Sequence, residues 1–364
     1  MKKEKLLAIL KLQATKNIGD VIAKKLISAT GSPEQIFNES IATLLKIPGI
    51  GAYALQYIFD KQTHQRAEQE LLFLEQSNYQ YHYFLEDDYP QNLKQCIDAP
   101  ILIFTDGNIQ LNTKRILSVV GTRTITNYGR GFCKQLIKDL TPYHPIIVSG
   151  FAYGVDICAH KAAIENNLQN IAVLAHGLEE TYPKAHKQYI QKINANGGFM
   201  TDFWHQERPI RENFLKRNRI VAGISKATIV VESAKKGGAL VTADIANSYH
   251  RDVFALPGRV ADEYSKGCNN LIKNNGAHML TSAEDVITLL NWDLSEKKVK
   301  QTFLFADLNE QEQKIFDYLS QQGKQLIDVI ARDCDIPVHQ LSSILLEMEL
   351  NGVVKPLPGK FFEL

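Results

Sequence analysis

The chain is short of cysteine, of tryptophan and of net charge: five Cys, two Trp and a formal balance of +1 across 364 residues. The cysteines (Cys96, Cys133, Cys158, Cys268 and Cys334) are scattered, odd in number and never in CxxC spacing. That excludes a disulfide framework and a zinc site, and it fits a reducing cytosol. A near-neutral balance excludes a protein coated in positive charge, so any contact with a polyanion must come from a local patch. Long hydrophobic runs are missing as well. No stretch is long enough to span a bilayer, and the apolar run near the N-terminus soon meets Lys11 and Lys16 rather than a cleavage site. A soluble, cytoplasmic protein with no membrane partner is expected.

The chain divides by pattern. Residues 1–65 read as short helices joined at Asn17-Ile18-Gly19 and at Ile47-Pro48-Gly49-Ile50-Gly51. Residues 66–110 read as a connector and the first edge of a sheet, with an aromatic patch from Tyr79 to Phe84 and a strand-like Ile101–Phe104. From 111 to 290, short apolar runs alternate with helical segments: Ile116–Val120, Ile146–Val148, Ile171–Leu174, Phe199–Phe203, Thr228–Val231 and Val253–Leu256. Runs without polar alternation suit strands buried on both faces, so this region is expected to be an α/β fold with a doubly wound, mostly parallel sheet. A charged linker, Ser295–Lys300, leads to residues 303–364. These read as helices near 309–322, 325–333 and 337–351, then a hairpin turning at Pro358-Gly359 between Val353-Val354 and Phe361-Phe362. That order is the pattern of a winged helix.

Chemistry in such sheets gathers beyond the carboxyl ends of the strands. The first strand runs into Gly121-Thr-Arg123, where a dinucleotide fold needs a second glycine; a guanidinium there offers a phosphate clamp instead. The second ends at Ser149-Gly150, a hydroxyl and bare N–H groups near a helix start. The fifth ends at Glu232, followed by Lys235, Lys236, Gly237 and Gly238, again suited to phosphate. The densest signal is Phe214-Leu-Lys216-Arg217-Asn218-Arg219, with Arg208 and Arg211 upstream and Glu212 the only acid among them. Cations at a helix start oppose the macrodipole, so they need another reason to be there, and an aromatic beside them can stack on a base. The chain reads as a binder of nucleic-acid backbone. Asp156 and His160 share a helix face but lack a third ligand, so capping and packing, not metal, are expected there. No nucleophile–base pair appears, so neither catalysis nor a cofactor is called for.

The terminal regions are less explicit. Pro48-Gly49-Ile50-Gly51 fits a helix-hairpin-helix, but Ala52-Tyr53 replaces the usual following cation, leaving DNA contact and a purely structural hairpin equally open. The third helix of the winged-helix pattern has no Lys or Arg and carries Glu347 and Glu349, so it is expected not to read duplex DNA.

Taken in order, these motifs resemble the DNA-processing protein A (DprA, or Smf) family. The matching stretches are Gly121-Thr-Arg123 with Tyr128-Gly129, Ser149–Asp156 with Ala159-His160, Tyr182-Pro183, Phe214–Ser225, Glu232, Gly238, Leu240–Ala243, Pro257-Gly258 and Gly267-Cys-Asn269, with Tyr89-Pro90 and Ala99-Pro100 upstream. The resemblance implies an extended Rossmann-like domain between a helix-hairpin-helix-like and a winged-helix-like domain. It implies a homodimer that binds single-stranded DNA without catalysis, protects incoming strands in natural transformation and loads the RecA recombinase. By position, Arg123, Ser149, Gly150, Lys216, Arg217, Asn218, Arg219 and Gly238 would line a phosphate pocket, and Phe214 would stack on a base. Lys236 joins them from the residue reading. Arg217→Ala is expected to lose strand affinity without unfolding the chain. The chain departs from the family where Ala175 and His186 stand for glycine and asparagine, and where Gly237 and Ala239 replace serines. The fold also resembles nucleotide phosphoribohydrolases of the lysine-decarboxylase-like group, but their Pro-Gly-Gly-x-Gly-Thr loop and downstream glutamate are missing; Glu232 precedes the loop instead.

Overall fold

The structure is a computed structural model that describes residues 1–111, 115–292, 308–351, 353–357 and 359–364. It consists of two units, Met1–Trp292 and Asp293–Leu364. The expected linker at 295–300 lies outside the described residues.

The first unit opens with helices whose apolar residues recur at helical spacing. Lys3–Ala14 buries Leu6, Ile9 and Leu10, and Asp20–Thr30 buries Ala23, Leu26 and Ile27. Gly31, in the left-handed region at φ 87°, ends the second. Ser32, Ser40 and Asp60 each cap the helix that follows by accepting a backbone N–H. Asp60 starts a single helix, Lys61–Gln76, that crosses position 65. These helices pack with Tyr83, Leu102, Phe104 and Trp204 of the sheet region in one shared core.

The nine-stranded sheet comprises β1 (Gln80–Tyr83), β2 (Leu102–Gly107), β3 (Ile116–Val120), β4 (Ile146–Ser149), β5 (Asn170–Val173), β6 (Gly197–Thr201), β7 (Ala227–Val230), β8 (Asp252–Ala255) and β9 (His278–Met279). Their spatial order is β1-β2-β6-β5-β4-β3-β7-β8-β9. The β1/β2 and β2/β6 pairs are antiparallel and the other pairs parallel, a mostly parallel doubly wound sheet as expected. Successive residues of β3 feed opposite cores: Ile116 and Val120 lie on one face, Leu117 and Val119 on the other. β6 begins two residues earlier than the apolar run suggests. A Cβ on Gly197 would stand 1.9 Å from the Asn170 carbonyl oxygen, so this glycine belongs to the strand because β5 approaches it too closely for a side chain.

The second unit holds the helices Glu310–Gln322, Ile327–Asp333 and Val338–Leu350, and a small sheet of β10 (Gln325–Leu326), β11 (Lys355–Leu357) and β12 (Phe361–Glu363), ordered β10-β12-β11. This is a winged helix. Val353 and Val354, expected in the hairpin, are buried in the helical core instead, and the strand starts after them. Pro358 of the expected turn lies outside the described residues. Among the described residues no helix is long and apolar enough to cross a membrane.

Candidate nucleic-acid interface

The sheet order reverses at β3. The chain leaves β3 toward β4 on one side, while β7 lies on the other, so the loops after β3 and β7 diverge and open a crevice. A cavity of about 670 Å³ sits there. Glycines allow the close packing of the loop that borders it. A Cβ on Gly121 would meet Val155 Cγ2 at 2.4 Å, and one on Gly154, at φ 77°, would meet the Thr122 carbonyl oxygen at 2.1 Å. Thr122 N–H donates to the Glu232 carbonyl (2.7 Å), and Val155 N–H donates to the Thr122 carbonyl (3.1 Å). The loop is thereby pinned between β7 and the Val155–Glu165 helix, and Arg123 projects from it.

The guanidinium of Arg123 lies 5.3 Å from the Phe214 ring centroid, and Tyr182 meets the same ring edge-on at 5.8 Å. Arg123 is exposed and, among the described residues, stacks on Phe214 rather than pairing with an acid across the sheet edge. The opposite wall is the start of the Gly238–Ser248 helix, where Gly237 and Gly238 line the cavity beside Lys236. A Cβ on Gly238 would meet nothing within 4 Å, so its backbone is open to an approaching group. Exposed cations, a half-exposed aromatic and helix N–H groups facing one space can hold an anion and a flat ring together.

The structure sorts the expected residues into three sets. Arg123, Gly150, Phe214, Arg217, Asn218, Lys236 and Gly238 line the cavity. Lys216 and Arg219 do not: they line a second groove. The helix Arg211–Ile224 advances about 100° per residue. Phe214, Arg217, Asn218 and Val221 therefore share one face, and Lys216 and Arg219 turn to another. Arg219 bonds Asp20 (2.9 Å), Asp202 (2.5 Å) and the Asp98 carbonyl, tying the N-terminal helices to the sheet. Burial alone would lower its pKa, but Asp202 and Asp20 hold it raised. Ser149 is fully buried, and its hydroxyl donates to the Val119 carbonyl at 2.6 Å, clamping β4 to β3 instead of facing the cavity.

Arg217 is a different object from the exposed phosphate reader its neighbours suggest. Only 4% exposed, it donates from Nη1 to the carbonyls of Gly150 (2.6 Å) and Val173. Its countercharge is Asp156, whose carboxylate also accepts from Ala152 N–H at 3.3 Å. Burial pushes the Arg217 pKa down and the Asp156 pKa up, and each charge opposes the shift of the other. A Cβ on Gly150 would stand 2.4 Å from Arg217 Nη1, so that glycine makes room for the brace. Asp156 was legible only as a packing residue; its pairing partner lies far along the chain. Tyr182 was legible only through its motif, since nothing local places it against Phe214.

Glu232 is also committed. Its carboxylate accepts from Thr126 N–H (2.8 Å) and from the Thr126 hydroxyl (2.5 Å), anchoring the start of the Asn127–Asp139 helix. It is 3% exposed and is not presented to the cavity as an acid–base group, so the hydrolase reading is not favoured. His160 packs rather than ligates: its Nδ1 meets Asn170 Oδ1 at 3.0 Å, and burial lowers its pKa to about 4. Among the described residues no group of His, Cys, Asp or Glu is arranged to hold a metal.

Fold and cavity together define a doubly wound α/β protein with an anion-and-ring cradle at its switch point, flanked by a helical module and a winged helix. Comparison with known proteins agrees. The family model for DNA recombination-mediator protein A matches residues 80–291, that for the DprA winged helix domain residues 304–360, and a SAM-like helix-hairpin-helix tandem residues 9–58. The chain belongs to the DNA recombination-mediator protein A family. It is 33% identical to Protein Smf of Escherichia coli over 305 residues, 82% of this chain and 80% of that one. The crystal structure of DNA processing protein A from Streptococcus pneumoniae superposes with a TM-score of 0.67 at 30% identity, covering 79% of this chain and 98% of that one. A structure of DNA processing protein A from Helicobacter pylori, described for its single-stranded DNA binding mode, superposes with a TM-score of 0.53 at 28% identity, over 59% of this chain and 96% of that one.

Proposed function

We propose that this protein binds single-stranded DNA in the switch-point cavity and does no chemistry on it. In natural transformation it protects the incoming strand and hands it to the RecA recombinase, acting in the cytoplasm as a homodimer. The observation that carries the binding step is the convergence of Arg123, Phe214, Lys236 and the Gly238 helix start on one cavity. Stacking is indifferent to sequence and helix N–H groups hold any phosphate, which suits a protein that must accept any strand. Glu232 and Asp156 are both committed to structural hydrogen bonds rather than offered as acid–base groups, which supports a binding role.

The test is fluorescence anisotropy of a labelled oligothymidine and a matched duplex, through a salt series. Single-strand preference that weakens with salt and falls in Arg123→Ala and Lys236→Ala is the expected result. Both residues are exposed, so the variants keep their fold. Folded protein that binds no single strand at low salt would end this reading. RecA transfer is checked separately, by recombinase filament formation on strands coated with a single-strand-binding protein. The homodimer is checked by sedimentation.

A further inference from the structure

Tyr153 does not line the strand cavity, yet it stands on the rim. Ala152 before it lines the cavity, and Gly154 after it packs on the backbone of Arg123, where a Cβ would meet the Arg123 carbonyl carbon at 2.5 Å. The chain turns over at this point. Phe151, in the left-handed region at φ 59°, is buried edge-on against Phe199, while Tyr153 remains 47% exposed. The tyrosine ring is braced from beneath. His186 meets it edge-on with centroids 5.0 Å apart, and His186 Nδ1 donates to the Phe151 carbonyl at 3.0 Å. His186 is itself buried. It is the histidine that stands where the resembling family often has asparagine, so this chain puts a ring where an amide would be.

Cations lie around the brace. Lys187 follows His186 and is exposed, and Lys161 lies 5.0 Å over the ring of Tyr189, which meets His186 in turn at 6.3 Å. Among the described residues neither lysine is in an ion pair. The way out of the cavity past Leu215 is less suitable. It opens on a groove where Asp20, Asp98, Asp202 and Glu207 outnumber three cations, which does not favour a phosphate backbone.

We propose that Tyr153 is a second stacking platform for the same strand. A base leaving the cavity lies on its ring, and the phosphates beside that base rest on Lys161 and Lys187. An exposed ring with free cations around it accepts any base, as the cavity does. His186 is a positioning residue, since it touches the tyrosine and not the strand. This rests on the single-strand reading above, and it adds a direction: the strand leaves over the start of the Val155–Glu165 helix.

Anisotropy with two oligothymidines tests it, one of about four nucleotides to occupy the cavity and one of about twelve to reach past the rim. Tyr153→Ser is expected to weaken the longer strand about ten-fold and to leave the shorter one unchanged. Lys187→Ala is expected to lower the salt slope of the longer strand alone by about 0.7. Tyr153→Trp supplies a direct readout, an exposed indole whose fluorescence the longer strand quenches and the shorter does not. Adding His186→Asn to that variant keeps a donor for the Phe151 carbonyl and is expected to reduce the quench. Thermal melts check that each variant folds. Undiminished affinity for the longer strand in folded Tyr153→Ser, an equal loss for both strands, or an indole that is not quenched would overturn the proposal. An unchanged quench with His186→Asn would overturn the role given to that histidine. Failure of the native protein to bind either strand would instead remove the single-strand reading beneath it.

Discussion

Arg123 and Arg217 show how differently two guanidiniums can serve one site. Arg217 holds two strand ends together from within. Removing it strands Asp156 without its countercharge and takes the guanidinium donor from the Gly150 and Val173 carbonyls. Arg217→Ala is therefore expected to destabilise the fold by about 3–5 kcal/mol, read from urea unfolding. The expectation that it would spare the fold is corrected by this burial. Arg123→Ala, on the surface, should leave the urea midpoint within about 0.5 kcal/mol of the parent while lowering strand affinity. Phe214→Ala should cost about 1–3 kcal/mol of strand binding if the ring stacks on a base, and equal affinity for variant and parent would remove it from the site.

At the scale of the element, the Val155–Glu165 helix is fastened to the sheet through buried polar groups. His160 on that helix meets Asn170 of β5, and burial keeps the imidazole neutral, with its pKa near 4 against an ordinary 6.5. The unfolded chain binds this proton more readily than the folded one, so stability is present above the ordinary value and is lost as pH falls from there toward 4. The loss is up to about 3 kcal/mol from this residue, and His160→Gln should flatten that part of a urea-midpoint profile against pH. The helix start is equally exacting. Gly154→Ala must place a Cβ against the Thr122 carbonyl at φ 77°, and a loss above about 1 kcal/mol is expected from strain and clash together.

For the whole molecule, charge is apportioned unevenly. The cavity gathers cations in a chain of almost no net charge, so binding should depend on salt as a local contact does. Each single-strand phosphate held should contribute about 0.7 to the slope of log affinity against log salt, and a slope near zero would contradict phosphate contact. The winged helix goes the other way. Its Val338–Leu350 helix shows Glu347 and Glu349 to solvent along with Leu346 and Leu350, and has no cation. The unit has its own hydrophobic core. A fragment from residue 303 onward should fold and fail to bind duplex DNA at moderate salt, as an electrophoretic shift assay would show.

What could be read from the chain alone was what depends on near neighbours. The apolar run Ile116–Val120, bounded by Arg115 and Gly121, matches β3 residue for residue, because burial on both faces demands such a run. β9 left no trace, since His278 and Met279 are both exposed and too few to make a pattern. β1 alternates polar and aromatic residues, and its partner β2 lies beyond a loop of its own, so the Tyr79–Phe84 patch showed aromatic content but not a strand. The site divides on the same line. The run from Phe214 to Arg219 announced charge beside an aromatic, and that is a local fact. Which of those cations face the cavity was decided by the phase of one helix against the sheet. Which of them are consumed as structure was decided by acids distant in sequence: Asp156 for Arg217, Asp20 and Asp202 for Arg219. Desolvation and ion pairing act through space, so the role of a charged side chain is set only when folding brings its partner near.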